Sequence, residues 1–118
     1  MANSALVLIT KAPYGLEEAF AGLRLALAMS VNGMKTTVVM IEDGAYNAVK
    51  DQKPETVKMP SNIDATKDLY DFDVQALVVK EDLEARGIGE DRIFDGLKLI
   101  PATDLRKLVA DHDIVLTF

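Results

Sequence analysis

Ala5-Leu6-Val7-Leu8-Ile9-Thr10, then Lys11-Ala12-Pro13-Tyr14-Gly15, then Leu16 through Asn32 is the stretch whose reading decides the fold. An unbroken apolar run of strand length, a turn carrying Pro and Gly, and a long apolar helix make the opening unit of a parallel α/β sheet, whose strands are covered on both faces. The rest of the chain repeats that alternation. The expected architecture is therefore α/β: one domain over residues 1–118, a three-layer α/β/α sandwich with a mostly parallel sheet of about five strands. In such sheets ligands sit outside the carboxyl ends of the strands, so the loop from Lys11 to Gly15 is the first place to look for function.

Working outward, Leu16, Ala19, Phe20, Leu23, Ala26, Leu27 and Ser30 mark the inward stripe of the first helix. Ala21, Leu25, Ala28, Met29 and Val31 carry apolar surface well around the cylinder, leaving Glu17 and Arg24 on a narrow polar strip. A helix this apolar calls for a second partner, either another subunit or a later helix of the same chain. Gly33 ends it, since glycine adopts the left-handed cap without steric cost. Lys35–Ile41 is the second strand, Glu42-Asp43-Gly44 a turn, and Ala45–Lys50 a short helix. Residues 51–60 hold Pro54 and Pro60 among charges and read as an exposed loop. Ser61 with Asp64 forms a capping box, so a helix is expected from Asn62 to Tyr70. Val74–Val79 is the third strand, Glu81–Ala85 a short helix stopped at Arg86-Gly87, and Leu97–Ile100 a fourth strand. A helix opening at Pro101-Ala102-Thr103 turns Leu105, Leu108 and Val109 inward, and Ile114–Thr117 closes the sheet.

The formal net charge of −6 on 118 residues argues against nucleic acid, whose phosphates require a positive field. No apolar run reaches the roughly 20 residues of a membrane span. The opening Met1-Ala2-Asn3-Ser4 lacks the basic region and cleavage site of a signal peptide, so the expected location is cytoplasmic. There is no cysteine, which removes disulfides, thiolate metal sites and cysteine nucleophiles together.

The loop after the first strand lacks the glycine patterns of phosphate binding, and Glu17 and Glu18 already occupy the positive end of the helix dipole. Lys11, Tyr14, Asp43, Tyr46 and Lys80 fall at the carboxyl ends of the first three strands. If those strands are parallel neighbours, the five line a shallow cleft suited to a small anion; solvated loop residues and tyrosines packed on their helices are the plainer reading. A cysteine-free enzyme using Lys80 or Asp43 in proton transfer lacks a base and its orienting partner. His112 between Asp111 and Asp113 reads as the charge that completes a helix end, and falls short of the three or four converging ligands of a metal site. No catalytic residue, metal or cofactor is assigned.

Three stretches resemble one family: Lys11-Ala12-Pro13-Tyr14-Gly15, Asp43-Gly44-Ala45-Tyr46 leading to Gln52-Lys53-Pro54, and Leu83-Glu84-Ala85-Arg86-Gly87. With the closing Asp113–Phe118 they are similar to the DsrE/DsrF-like family of sulfur-relay subunits (TusBCD and DsrEFH), most of all to its DsrF/TusC branch. The resemblance implies an α/β/α sandwich assembled into trimers or hexamers, either of itself or with cysteine-bearing relatives. In members that carry sulfur, a cysteine near the end of the third strand holds a persulfide. The resemblance puts that position at or close to Val79, where this chain reads Val78-Val79-Lys80-Glu81-Asp82. Glu81 and Asp82 at a helix start oppose a thiolate. The expected role is thus a non-catalytic oligomeric partner or scaffold, with a small-anion binding module as the alternative.

Overall fold

A computed structural model of the chain describes residues 3–14, 17–50, 52 and 61–118. Five strands form one sheet: β1 (Ser4–Ile9), β2 (Lys35–Met40), β3 (Gln75–Val79), β4 (Lys98–Ile100) and β5 (Ile114–Thr117), in the order β4-β3-β2-β1-β5. Every pairing is parallel, Val7 standing beside Val38 and Leu116, and Val39 beside Leu77. The helices are α1 (Glu18–Val31), α2 (Asn62–Tyr70), α3 (Lys80–Ala85) and α4 (Thr103–Asp111). None among the described residues is long and apolar enough to cross a membrane.

Continuous apolar strands follow from having a core on each face. Val7, Ile9, Val38, Met40 and Val78 pack on one face with Ala19, Leu23 and Ala26 of α1 and Leu69 of α2. Leu6, Leu8, Val39, Ile41, Leu77 and Val79 pack on the other against Leu105 and Leu108 of α4. Each fully buried aliphatic side chain contributes about 1.5–3 kcal/mol by leaving water, so the central strands dominate stability.

Helix ends follow local chemistry. Ser61 Oγ accepts the Asp64 N–H at 3.1 Å, and α2 spans the expected residues. Gly33 takes the left-handed conformation (φ 89°) that closes α1. The helix expected over Ala45–Lys50 is instead a 3₁₀ helix over Glu42–Ala48, because the chain must turn at once to bring Gly44 under β1. Val109, expected inward, is 41% exposed; the arc of α4 that meets the sheet is narrow and takes Leu105, Leu108 and His112. The outer side of α1 is shared: α2 packs along one flank, Leu27 and Met29 are half-buried against the core, and Ala21, Ala28 and Val31 face solvent. Leu16, and the loop expected over 51–60 apart from Gln52, lie outside the described residues.

Candidate functional site at the carboxyl edge of the sheet

The loops after β1, β2 and β3 meet at one edge of the sheet. The first two join the start of α2 in a buried amide cluster. Gly44 allows it, for a Cβ there would stand 1.8 Å from the Ile9 carbonyl oxygen. Its backbone can therefore run against the end of β1 and turn Asn47 into the gap. Asn47 is fully buried. Its Nδ2 donates to the Lys11 carbonyl at 2.8 Å and the Gly44 carbonyl at 2.9 Å, and its Oδ1 accepts from Asn62 Nδ2 at 2.8 Å.

Asn62 opens α2, where a backbone N–H has no partner within the helix. The Tyr14 hydroxyl accepts that N–H at 3.1 Å and donates its own proton to Gln52 Oε1 at 2.6 Å. Gln52 Nε2 returns to the Val49 carbonyl at 2.8 Å. Tyr14 itself sits at φ 69°, a conformation costing a side-chain-bearing residue about 1–3 kcal/mol and sustained only where its surroundings demand it. Here its phenol closes the cluster. Thr66 completes it by donating to the Asn62 carbonyl at 2.8 Å.

The end of β3 is held by charge. Val79 caps α3 from within the core, 2% exposed beside Leu77 and Ile41. Glu81 accepts the Ala102 N–H on both carboxylate oxygens, at 3.0 and 3.1 Å, fixing the approach to α4. Asp82 Oδ2 accepts the Glu42 N–H at 2.8 Å. Arg86 lies between two acids: its Nε and Nη2 reach Asp43 Oδ1 at 3.1 and 3.0 Å, and its Nη1 stands 3.8 Å from Asp82 Oδ1.

The five strand-end residues therefore share an edge while doing different things. Tyr14 belongs to the amide cluster and Asp43 to the Arg86 pair. Lys11 faces solvent and contributes its carbonyl to Asn47. Lys80 is exposed, 4.0 Å from Glu84 in an open i,i+4 pair, and Tyr46 is 39% exposed. None of the five lines any of the clefts identified among the described residues. At the opposite edge His112 ties α4 to the sheet. Its Nδ1 lies 2.7 Å from the Leu108 carbonyl, which can only accept, and its Nε2 lies 3.0 Å from Thr37 Oγ1.

Sequence reading gave Asn47 no role, and took Asn62 only as a helix start, Glu81 as a charge opposing a thiolate and Arg86 as a helix stop. The capping box at Ser61 marked where an orphan helix N–H would need a partner, but the partner comes from a loop 48 positions away. Chemically, the edge offers amides, hydroxyls and paired charges already committed to one another, with two lysines facing solvent.

A family model described as the DsrE/DsrF-like family matches residues 3–118. An uncharacterized protein of Methanocaldococcus jannaschii is 35% identical over 112 residues, covering 95% of this chain and 96% of its own length. The protein TusC of Buchnera aphidicola subsp. Baizongia pistaciae is 27% identical, covering 90% of this chain and 91% of its own. The crystal structure of the ychN protein from E. coli superposes with a TM-score of 0.87 at 26% identity, covering 100% of both chains. The TusC and ychN likenesses support the DsrF/TusC branch. With a model matched over nearly its whole length and a curated relative above 30% identity, the chain belongs to the DsrE/DsrF-like family.

Proposed function

We propose that this chain is a non-catalytic partner or scaffold subunit of a sulfur-relay assembly, acting in the cytoplasm beside copies of itself in a trimer or hexamer, or beside cysteine-bearing members of its family. Family membership supports the sulfur-relay link. The observation that carries the non-catalytic part is the end of β3. The chain has no cysteine, Val79 is sealed in the core, and Glu81 and Asp82 are spent anchoring neighbouring loops. A thiol placed there meets burial and two carboxylates, both of which hold it protonated and unreactive.

Two measurements test this. A cysteine-bearing family subunit loaded with radiolabelled persulfide sulfur is mixed with the chain; co-elution without transfer of label is expected, and label on this chain refutes the reading. A Val79→Cys variant should resist a thiol reagent in the folded state and react fully only in denaturant. Fast native reaction would show that the pocket remains competent.

A second reading is a small anion held at the same edge. It is favoured by Lys11 and Lys80 facing solvent at the ends of β1 and β3, about 10 Å apart by strand spacing, while Arg86 engages the acid between them. Sulfate or phosphate should then raise the melting temperature, and Lys11→Ala should abolish the rise. A rise that survives Lys11→Ala counts against it.

A further inference from the structure

We infer that a hollow at the amino edge of the sheet binds a free α-amino acid with an aliphatic side chain, Asp111 and Thr37 taking its ammonium and Lys35 and Gln75 its carboxylate. The site lies at the far end of the strands from the loops that carry the reading above, and is tested apart from it.

The hollow exists because the two faces of the sheet are unequally covered. One face has α1 and α2; among the described residues the other has α4 alone, so the starts of β2 and β3 stand open beside its last turn. The opening measures about 420 Å³, and Lys35, Thr37, Gln75, Asp111 and His112 line it. A second hollow of about 420 Å³ adjoins it along α4, sharing Gln75, Leu108 and Asp111, with Leu77 and Ile100 in its floor. Small-ligand sites have such volumes and combine an apolar wall with a few converging polar groups. Leu6, Leu8, Val39, Leu77 and Val79 make this face of the sheet apolar; Thr37 and Gln75, paired across β2 and β3, interrupt it.

Thr37 is only 5% exposed, and His112 decides what its hydroxyl can do. The Leu108 carbonyl can only accept, so His112 Nδ1 carries the proton and the neutral ring offers Nε2 as an acceptor. Thr37 gives its own proton to that nitrogen at 3.0 Å, which leaves its oxygen free only to accept from anything further in the hollow. Asp111 stands in the last turn of α4, at the negative end of the helix dipole, where no basic residue balances it. Together these acceptors suit an ammonium, whose hydrogens all donate. On the strand side, Lys35 and the Gln75 amide can donate to a carboxylate. Neither Lys35 nor Asp111 makes an ion pair within 4.0 Å among the described residues. A plain anion meets Asp111 and the helix end, a plain cation meets Lys35, and a zwitterion satisfies both. Its side chain then runs along Leu108 onto Leu77 and Ile100. The rim there carries Lys98 and Lys107 as well as Asp104, so a charged side chain of either sign meets its like and a neutral aliphatic one is preferred.

Isothermal titration of the whole chain with L-leucine tests this, beside isocaproate, which lacks the ammonium, and isoamylamine, which lacks the carboxylate. Leucine should bind saturably and each analogue about tenfold or more weaker, the loss of one charge-assisted contact. Lys35→Gln should weaken leucine by a similar factor and leave isoamylamine unchanged. Asp111→Asn should weaken leucine without weakening isocaproate. Both positions are exposed, and circular dichroism checks folding. No saturable binding of leucine overturns the site. Either analogue binding as tightly as leucine overturns the zwitterion, L-glutamate binding more tightly than leucine overturns the aliphatic tail, and leucine binding untouched by both variants overturns the placement.

Discussion

Asn47→Ala is the sharpest probe of the loop junction. The substitution removes the donor shared by the Lys11 and Gly44 carbonyls, at 2.8 and 2.9 Å, and the acceptor of Asn62 Nδ2 at 2.8 Å. Asn62 is itself 2% exposed, so its amide loses a partner where water has little access. Each buried polar group left unpaired costs about 1–3 kcal/mol. The Asn62 amide and the Gly44 carbonyl are deep and the Lys11 carbonyl is less so, which gives a loss of about 3–5 kcal/mol. For a chain of this length that lowers the melting temperature by roughly 12–20 °C. Urea denaturation measures the free energy, and a double-mutant cycle with Asn62→Ala isolates the pair; coupling of about 1 kcal/mol or more is expected. Asn47→Asp should be worse at neutral pH, because a carboxylate would then face two carbonyls. Burial raises that acid's pKa in the folded state, so the deficit relative to wild type should shrink as pH falls and the proton restores one donor. A loss below about 1 kcal/mol for Asn47→Ala, or strict additivity with Asn62→Ala, would refute the view that these amides hold the loops after β1 and β2 to the start of α2.

Gly44→Ala should cost about 3 kcal/mol or more, since its Cβ would overlap the Ile9 carbonyl that accepts the Ile41 N–H at 2.9 Å; a shift under 1 kcal/mol in urea would show that the end of β1 yields freely. Ser61→Ala should lower stability by about 1 kcal/mol through loss of the α2 cap, with Ser61→Asp largely restoring it. Burial, and then the Asp95 carboxylate, hold the Tyr70 phenol above its usual value near 10. The folded state therefore keeps a proton that the unfolded state releases, and this contribution is whole below about pH 10 and lost as pH rises through the higher folded value. Tyr70→Phe should flatten that alkaline decline, and an unchanged alkaline slope would assign it to other groups.

What the sequence determined by itself was set by short-range rules. Unbroken apolar runs of strand length separated by amphipathic stretches can be satisfied only by a sheet covered on both faces, so β1, β2, β3 and β5 and their parallel sense were legible. Ser61 and Asp64 marked the start of α2 because capping is an exchange between neighbours. Lys11, Asp43 and Lys80 were assigned to one sheet edge on the same logic, since strand order alone carries them there. The tertiary structure decided what they do at that edge. Asn47 joins Lys11 and Asn62 across 36 and 15 positions, and Arg86 reaches Asp43 across 43; no local pattern encodes partners that distant. Val109 turned outward for a similar reason, because the arc of a helix that meets a sheet depends on how it lies there as well as on its period. The uneven cover of the two sheet faces, too, is a property of crossover hands and helix placement, which appear only when the chain is folded.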